Sequence, residues 1–416
     1  MVEGFKHTEV GLIPEDWLTK SIEELAIPKG LVRGPFGGAL KKEFFVSSGY
    51  KVYEQKNAIY CDVSLGGYYI NPSKFIELKR FEISEGDFII SCSGTIGRIY
   101  QIPEKFEKGV INQALLKITF DVQNYSDQYF LQYFRWNYFQ QRIIDSTQGG
   151  AMKNLIGMSD FKQTEIPLPP TKAEQTAIAT ALNDADALIT ALEKLIAKKK
   201  AIKQGAMQEL LKPKEGWIEK NLGKSAILKA RIGWQGLTTA EYKETGKYFL
   251  ITGTDFKNGF IDWQNCVYVE KIRYDQDKNI QVKSNDVLVT KDGTIGKVAF
   301  INEVPKPATL NSGVFVIRPI ADSFHPKFFY YILLSEHFAK FLGQLSAGST
   351  INHLYQKDFV TFDFWTPKTN EEQKEISEIL FDMDSEIEAL EEKLKKQKQI
   401  KQGMMQVLLT GKIRLI

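Results

Sequence analysis

Apolar side chains at Ile178, Leu182, Ala185, Ile189, Leu192 and Ile196 step by four, three, four, three and four. That is a heptad seam of a and d positions, and it predicts one long helix. Ile376, Leu380, Met383, Ile387, Leu390 and Leu394 repeat the seam, each 198 residues further on. Neither tract contains proline, and the first glycines within them are Gly205 and Gly403. Pro169-Pro170 and Pro367 stand just before the tracts, and Thr171 and Thr369 sit where N-caps belong, with Glu174 and Glu372 as capping-box partners three residues on. Each helix spans roughly 40 residues, or about 60 Å. Such a length exceeds what a small domain's core requires, and reads as a spacer or a partner dock rather than a packing element.

The remaining segments carry shorter patterns. Runs at Asp87 to Ile90, Leu115 to Phe120, Asp286 to Thr290 and Gly313 to Arg318 are apolar or alternating and are bounded by glycine and polar turns, as strands are. Tyr129 to Ile144 and Phe328 to Leu345 place aromatic and aliphatic residues at helical spacing, predicting one helix in each and a core role for its rings. The expected class is α+β: two mixed α/β domains in a tandem pseudo-twofold repeat, with the two long helices forming an antiparallel coiled coil between them. The expected boundaries are 1–168 for the first domain, 169–212 for the first helix, 213–366 for the second domain, and 367–416 for the second helix and tail.

A duplication underlies this pattern. SCSGTIGR at Ser91 to Arg98 returns 199 residues later as TKDGTIGK at Thr290 to Lys297, and IKQG at Ile202 to Gly205 returns at Ile400 to Gly403. Asp87 matches Asp286, Asn112 matches Asn311, and Gly149 matches Gly348. From Pro169 the offset is 198, so the domains and the helices form two differently constrained parts of one repeat. Charge along the helices is polarised. Acids crowd the first half of the second tract, and Lys393, Lys395, Lys396, Lys398 and Lys401 follow; Asp184, Asp186 and Glu193 give way to lysines in the first. An antiparallel pair lays acidic half against basic half, whereas a parallel pair would align like charges.

Composition narrows the class without naming a function. The 416 residues are 43% hydrophobic and 25% charged, ordinary values for a soluble globular chain of two or three domains. No run approaches the roughly 20 apolar residues of a spanning helix, and the N-terminus lacks a signal peptide's apolar stretch, so a cytoplasmic location is expected. Cys61, Cys92 and Cys266 are scattered, without metal-ligand spacing, and read as packed thiols. No cofactor or metal is expected. A net charge of +3 permits nucleic-acid binding without arguing for it. The stretch ending at Gly296-Lys297-Val298 fails as a phosphate-binding loop, having Lys291 in place of the first glycine and no Ser or Thr after the lysine. His7, His325, His337 and His353 pair with no nucleophile in both halves. The chain reads as a recognition protein rather than an enzyme.

The opening TEVGLIPEDW (Thr8 to Trp17), PFGG (Pro35 to Gly38), the GTIG turns, an IPLPP-x-x-x-EQ lead into a long helix, and the closing LLTGKIRL (Leu408 to Leu415) together resemble the specificity subunit of type I restriction-modification systems. The resemblance spans essentially the whole chain. It implies two target-recognition domains that each read half of a split double-stranded DNA site. It also implies two helices that dock two methyltransferase subunits, with restriction/translocase subunits joining through that core. The chain itself would be noncatalytic. A subunit serving a methyltransferase alone or a related phage-defence complex, and a protein-interaction scaffold, remain as alternatives.

DNA contacts are expected from polar loops. In the first half these are Gln55, Lys56 and Asn57; Ser91, Ser93, Thr95 and Arg98; and Lys153 with Asn154. In the second they are Thr252, Thr254 and Asp255; Thr290, Lys291, Asp292, Thr294 and Lys297; and Ser349, Thr350, Asn352 and His353. Arg98 and Lys297 suit phosphate; Gln55, Asn57, Asp255 and Lys291 suit base edges.

Overall fold

The structure, a computed structural model, describes every residue except 1–3, 146–153, 156, 233–235, 346–352 and 416, and describes only the backbone of 37, 145, 154 and 155. The chain divides into two compact units, Met1–Leu192 with Lys393–Ile416, and Glu193–Glu392. Both long helices pass from one unit to the other.

Each unit is built on a four-stranded antiparallel sheet with the same strand order. In the first unit the order is Ala26–Arg33, Leu115–Phe120, Phe88–Ser91, Ile99–Gln101, and in the second Ala226–Ala230, Val314–Pro319, Val287–Thr290, Val298–Phe300. Phe88 to Ile90 and Val287 to Val289 are fully buried, as central strands covered on both faces must be. A second sheet, four-stranded in the first unit and three-stranded in the second, pairs two strands in parallel, Tyr50–Tyr53 with Gly109–Ile111 and Tyr248–Ile251 with Ala308–Leu310. A two-stranded ribbon then leads to the long helix: Leu18–Ser21 pairs Glu165–Leu168, and Ile218–Asn221 pairs Asp363–Thr366. The α+β class and the tandem repeat therefore hold.

The aromatic tracts form the core as expected, but each is two helices rather than one. Asp127–Arg135 is followed by Asn137–Ile143, and Pro326–Leu334 by Glu336–Leu345. Trp136 and Ser335 stand between them in extended conformation, and the Ser335 carbonyl accepts from Ala339 N–H at the start of the new helix. The break lets both faces turn inward. Tyr129, Phe130, Tyr133, Phe134 and Phe139 are all buried, as are Phe328, Phe329, Tyr330, Tyr331 and Phe338.

The long helices run Lys172–Leu210 and Asn370–Leu408, each of 39 residues. Thr171 and Thr369 cap them, accepting from the backbone N–H of Glu174 and Glu372 at 3.2 and 3.3 Å. Glu174 does not complete a capping box; its carboxylate turns to Arg414. In the second unit Lys203 pairs with Asp384, Lys199 with Glu386 and Lys200 with Glu391; in the first Lys401 pairs with Asp186. Within each unit the helices are thus antiparallel, with the basic end of one against the acidic end of the other. Of the seam, Ile178, Leu182, Ala185, Leu192, Ile196, Ile376, Leu380 and Ile387 are buried, and Ile189, Met383, Leu390 and Leu394 are half-buried. The helices are not mere spacers. Ile178 and Leu182 join Met405, Leu408 and Leu409 in the core of the first unit, and Ile376 and Leu380 join Leu211 in that of the second.

Candidate nucleic-acid interface

A hydroxyl builds the repeated GTIG turn from inside. Ser91 Oγ donates to Thr95 O at 2.6 Å and accepts from Arg98 N at 3.0 Å; Thr290 Oγ1 donates to Thr294 O at 2.6 Å and accepts from Lys297 N at 2.9 Å. Gly97 and Gly296 have positive φ, and a methyl group on either would run into Gln140 or Leu342 packed against the turn. Ser91 and Thr290 are fully buried, so neither meets DNA; they hold the tip that projects beyond them. The tips are exposed at Ser93 and Thr95 and at Thr294, with Arg98 exposed and Lys297 half-buried beside them.

Around these turns the fold gathers other sequence-selected residues. In the first unit Gln55 lies against Gly94, its amide Nε2 3.7 Å from where a Cβ there would stand, and its buried Oε1 has no hydrogen-bond partner among the described residues. Lys56 is half-exposed and paired with Glu54 at 2.8 Å. Asn57 must be withdrawn as a base reader. It is fully buried, its Oδ1 accepts from Glu54 N, and its Nδ2 donates to Asp62 O and Leu65 O, all at 2.8 Å, so its amide is spent inside the fold.

In the second unit the Thr252 to Asp255 turn meets the base of the GTIG turn, where Gly253 approaches Thr290. Asp255 is also withdrawn. It is buried, its Oδ2 accepts from Thr252 N at 2.7 Å and Oγ1 at 2.9 Å, and burial raises its carboxyl above the ordinary value. Thr252 is half-buried and hydrogen-bonded to Thr254, which is exposed. A backbone bridge joins Asp292 to His353, and their side chains hydrogen-bond. Lys291 lies over the Phe315 ring, 5.4 Å from its centroid. Two segments 61 residues apart thus form one surface.

Lys153, Ser349, Thr350 and Asn352 lie outside the described residues; Asn154 is in the strand Asn154–Leu155, its side chain outside the description. Sequence reasoning passed over Tyr355, which is 55% exposed, 4.6 Å from His353 between ring centroids and beneath the Lys357 ammonium. It also missed the Asn258-Gly259 hairpin, although an Asn-Gly pair with φ of 51° and 84° marks a type I′ turn. The same place in the first unit is the helix Gln55–Tyr60. Cys61 is exposed rather than packed; Cys92 and Cys266 are buried, and burial pushes the Cys92 thiol up to about 11. Among the described residues no cluster of three His, Cys, Asp or Glu could hold a metal ion, and no helix is long and apolar enough to cross a membrane.

Where each domain joins its helix, the two units agree position by position. Gln175 Oε1 accepts from Ser126 N and its Nε2 donates to Pro169 O, while Gln373 Oε1 accepts from His325 N and its Nε2 donates to Pro367 O. Gln132, fully buried, donates to Asp186 at 2.9 Å, and Tyr331, fully buried at the matching position, donates to Asp384 at 2.8 Å. In the first unit the tail adds a clasp: Arg414 binds Asp16 and the buried Glu174 and lies over Trp17. Asp16 and Trp17 of the opening motif, Gln175 and Gln373 of the EQ entries and Arg414 of the closing motif are therefore joints.

The sequence model of a family described as "Type I restriction modification DNA specificity domain" matches residues 14–204 and 235–402. Two curated proteins of Methanocaldococcus jannaschii, a putative type I restriction enzyme MjaX specificity subunit and the type I restriction enzyme MjaVIII specificity subunit, are each 26% identical. They cover 99% of this chain and 97% and 96% of their own lengths. Among solved structures, the S subunit of a type I restriction-modification system from M. genitalium aligns with a TM-score of 0.60 at 17% identity, over 94% of this chain and 96% of that one. A chain from a type I restriction-modification assembly aligns with a TM-score of 0.56 at 15% identity, over 96% of this chain and 99% of that one.

Proposed function

We propose that this chain, which belongs to the type I restriction-modification DNA specificity family, supplies sequence specificity to a type I complex through its two recognition domains. It reads a bipartite, asymmetric double-stranded DNA target and performs no catalysis itself. Two methyltransferase subunits dock on the helices, and restriction/translocase subunits join through them. We assign the reading domains to 1–168 and 213–366, the first docking helix to 169–212, and the second docking helix with the C-terminal tail to 367–416.

The supporting observation is the contrast between copied joints and diverged turns. The Gln175 and Gln373 clips, the Asp186–Lys401 and Asp384–Lys203 pairs and the turn hydroxyls recur, whereas Ser93 and Arg98, flanking the shared GTIG, have become Asp292 and Lys297, and the helix Gln55–Tyr60 beside them has become the hairpin Phe256–Ile261. Base edges are told apart by donor and acceptor pattern, so turns of different polarity read different half-sites. A helix cannot change length without breaking its hydrogen-bond ladder, and this fixes the gap between them. Methylome sequencing of cells carrying the chain with its methyltransferase should find two unlike half-sites at constant spacing. Continuous or palindromic modified sites would refute the reading.

A further inference from the structure

Both units carry a groove between the recognition domain and the helix pair, and the two grooves overlap at equivalent positions of the repeat. Asp186, Thr190 and Lys401 line the first; Asp384, Glu388 and Lys203, their counterparts at the 198-residue offset, line the second. On the domain side Ala58 and Ile59 correspond to Lys257 and Asn258. The charge, however, is inverted. The first groove presents three cations, Arg98, Arg135 and Lys401, against one carboxylate, Asp186. The second presents three lysines against five carboxylates.

The first groove's single carboxylate is already engaged. Asp186 accepts from Lys401 at 2.6 and 2.7 Å and from Gln132 at 2.9 Å. Arg98 and Arg135 are exposed, and neither guanidinium has an ion-pair partner among the described residues. Arg98 ends the GTIG turn, so the groove begins where the reading tip ends. In the second groove Lys257 is held by Asp262 at 2.9 Å, and the counterparts of Arg98 and Arg135, Lys297 and Leu334, lie outside its lining.

We infer that the groove of the first unit is a DNA phosphate track, with Arg98 and Arg135 gripping backbone phosphodiesters beside the bases read by that unit's turn, and that the second groove takes no DNA. Guanidinium groups bind phosphate oxygens through paired N–H donors, and a strand held here is positioned rather than read. Three of the second groove's five carboxylates are paired with its three lysines, and the net negative lining that results repels the same backbone. This inference rests on the DNA-binding reading above and gives the first unit a phosphate track that the second unit's groove does not repeat.

The test is binding of the full chain, assembled with its methyltransferase, to a labelled target duplex and a scrambled duplex over a salt series. Arg135→Ala and Arg98→Ala should each weaken binding to both duplexes by the same factor, roughly tenfold at low salt, and lower the salt slope by about 1; the double variant lowers it by about 2. Arg135→Lys should recover most of the slope, and Lys257→Ala should leave it unchanged. Unchanged slopes in both arginine variants overturn the inference. So does a loss confined to methyltransferase assembly, which would make the groove a protein dock. If the wild type binds both duplexes equally and the variants still lower the slope, the track stands and the specificity reading falls.

Discussion

Asp186 and Asp384 meet the same lysine position on the opposite helix and a buried donor from the same position of the domain, Gln132 or Tyr331. One turn along the same helices, Thr190 corresponds to Glu388, and nothing is shared. The two pairs lie a few ångströms apart in helix rise but under different constraints. At the first, changing one member strands a partly desolvated charge; at the second, water solvates whatever side chain is present. The joint is therefore copied while the groove beside it is free to change sign.

The sharpest break in this symmetry is the tail clasp. Arg414→Ala should cost about 3 kcal/mol or more, because Glu174, with 1% of its side chain exposed, would lose the ion-pair partner of its buried carboxyl group. Glu372, its counterpart, is exposed, and Glu372→Gln should change stability by less than about 0.5 kcal/mol. Denaturant midpoints of the two variants decide it; equal losses would mean that the halves are clasped alike.

The joint itself comes next. Asp384→Ala should cost about 2 to 3 kcal/mol, since Lys203 and Tyr331 both lose their acceptor, and Asp186→Ala less, its side chain being 37% exposed against 18% for Asp384. Tyr331→Phe should cost about 1 kcal/mol. Equal losses for the two aspartates would show that burial does not set the difference.

Asn57→Ala should cost about 1 to 3 kcal/mol in unfolding by freeing one buried N–H and two carbonyls, with the order of preferred DNA sequences unchanged. A relaxed preference within one half-site would restore it as a reader.

The smallest expected difference is acid sensitivity. Where the first unit has Ser126 the second has His325, and burial holds its imidazole below the ordinary value of 6.5. The unfolded chain then binds the proton more readily. Stability should fall as pH drops through 6.5, the loss being complete below the lowered folded value. His325→Ser should flatten that part of the profile; an unchanged profile would exclude His325 as its source.

The long helices, their polarity and the strands were legible because they depend on periodicity, which is local and repeated. The turn hydroxyls were legible as positions but not as roles. Ser91 and Ser93 look alike in sequence, yet one is the internal brace of the turn and the other its exposed tip. Asn57 and Asp255 look like surface polar residues for the same reason. The Asn258-Gly259 turn was readable and went unread.

By itself the sequence determined the duplication, the heptad seams with their opposed charge gradients, and the strand segments, because each is a pattern of neighbours along the chain. The fold settled which polar groups are consumed inside and which face solvent. It also decided that Asp292 meets His353, that the aromatic tracts break at Trp136 and Ser335, and that equivalent grooves carry opposite charge. Burial and electrostatic potential are sums over residues distant in sequence, and folding alone brings those residues together.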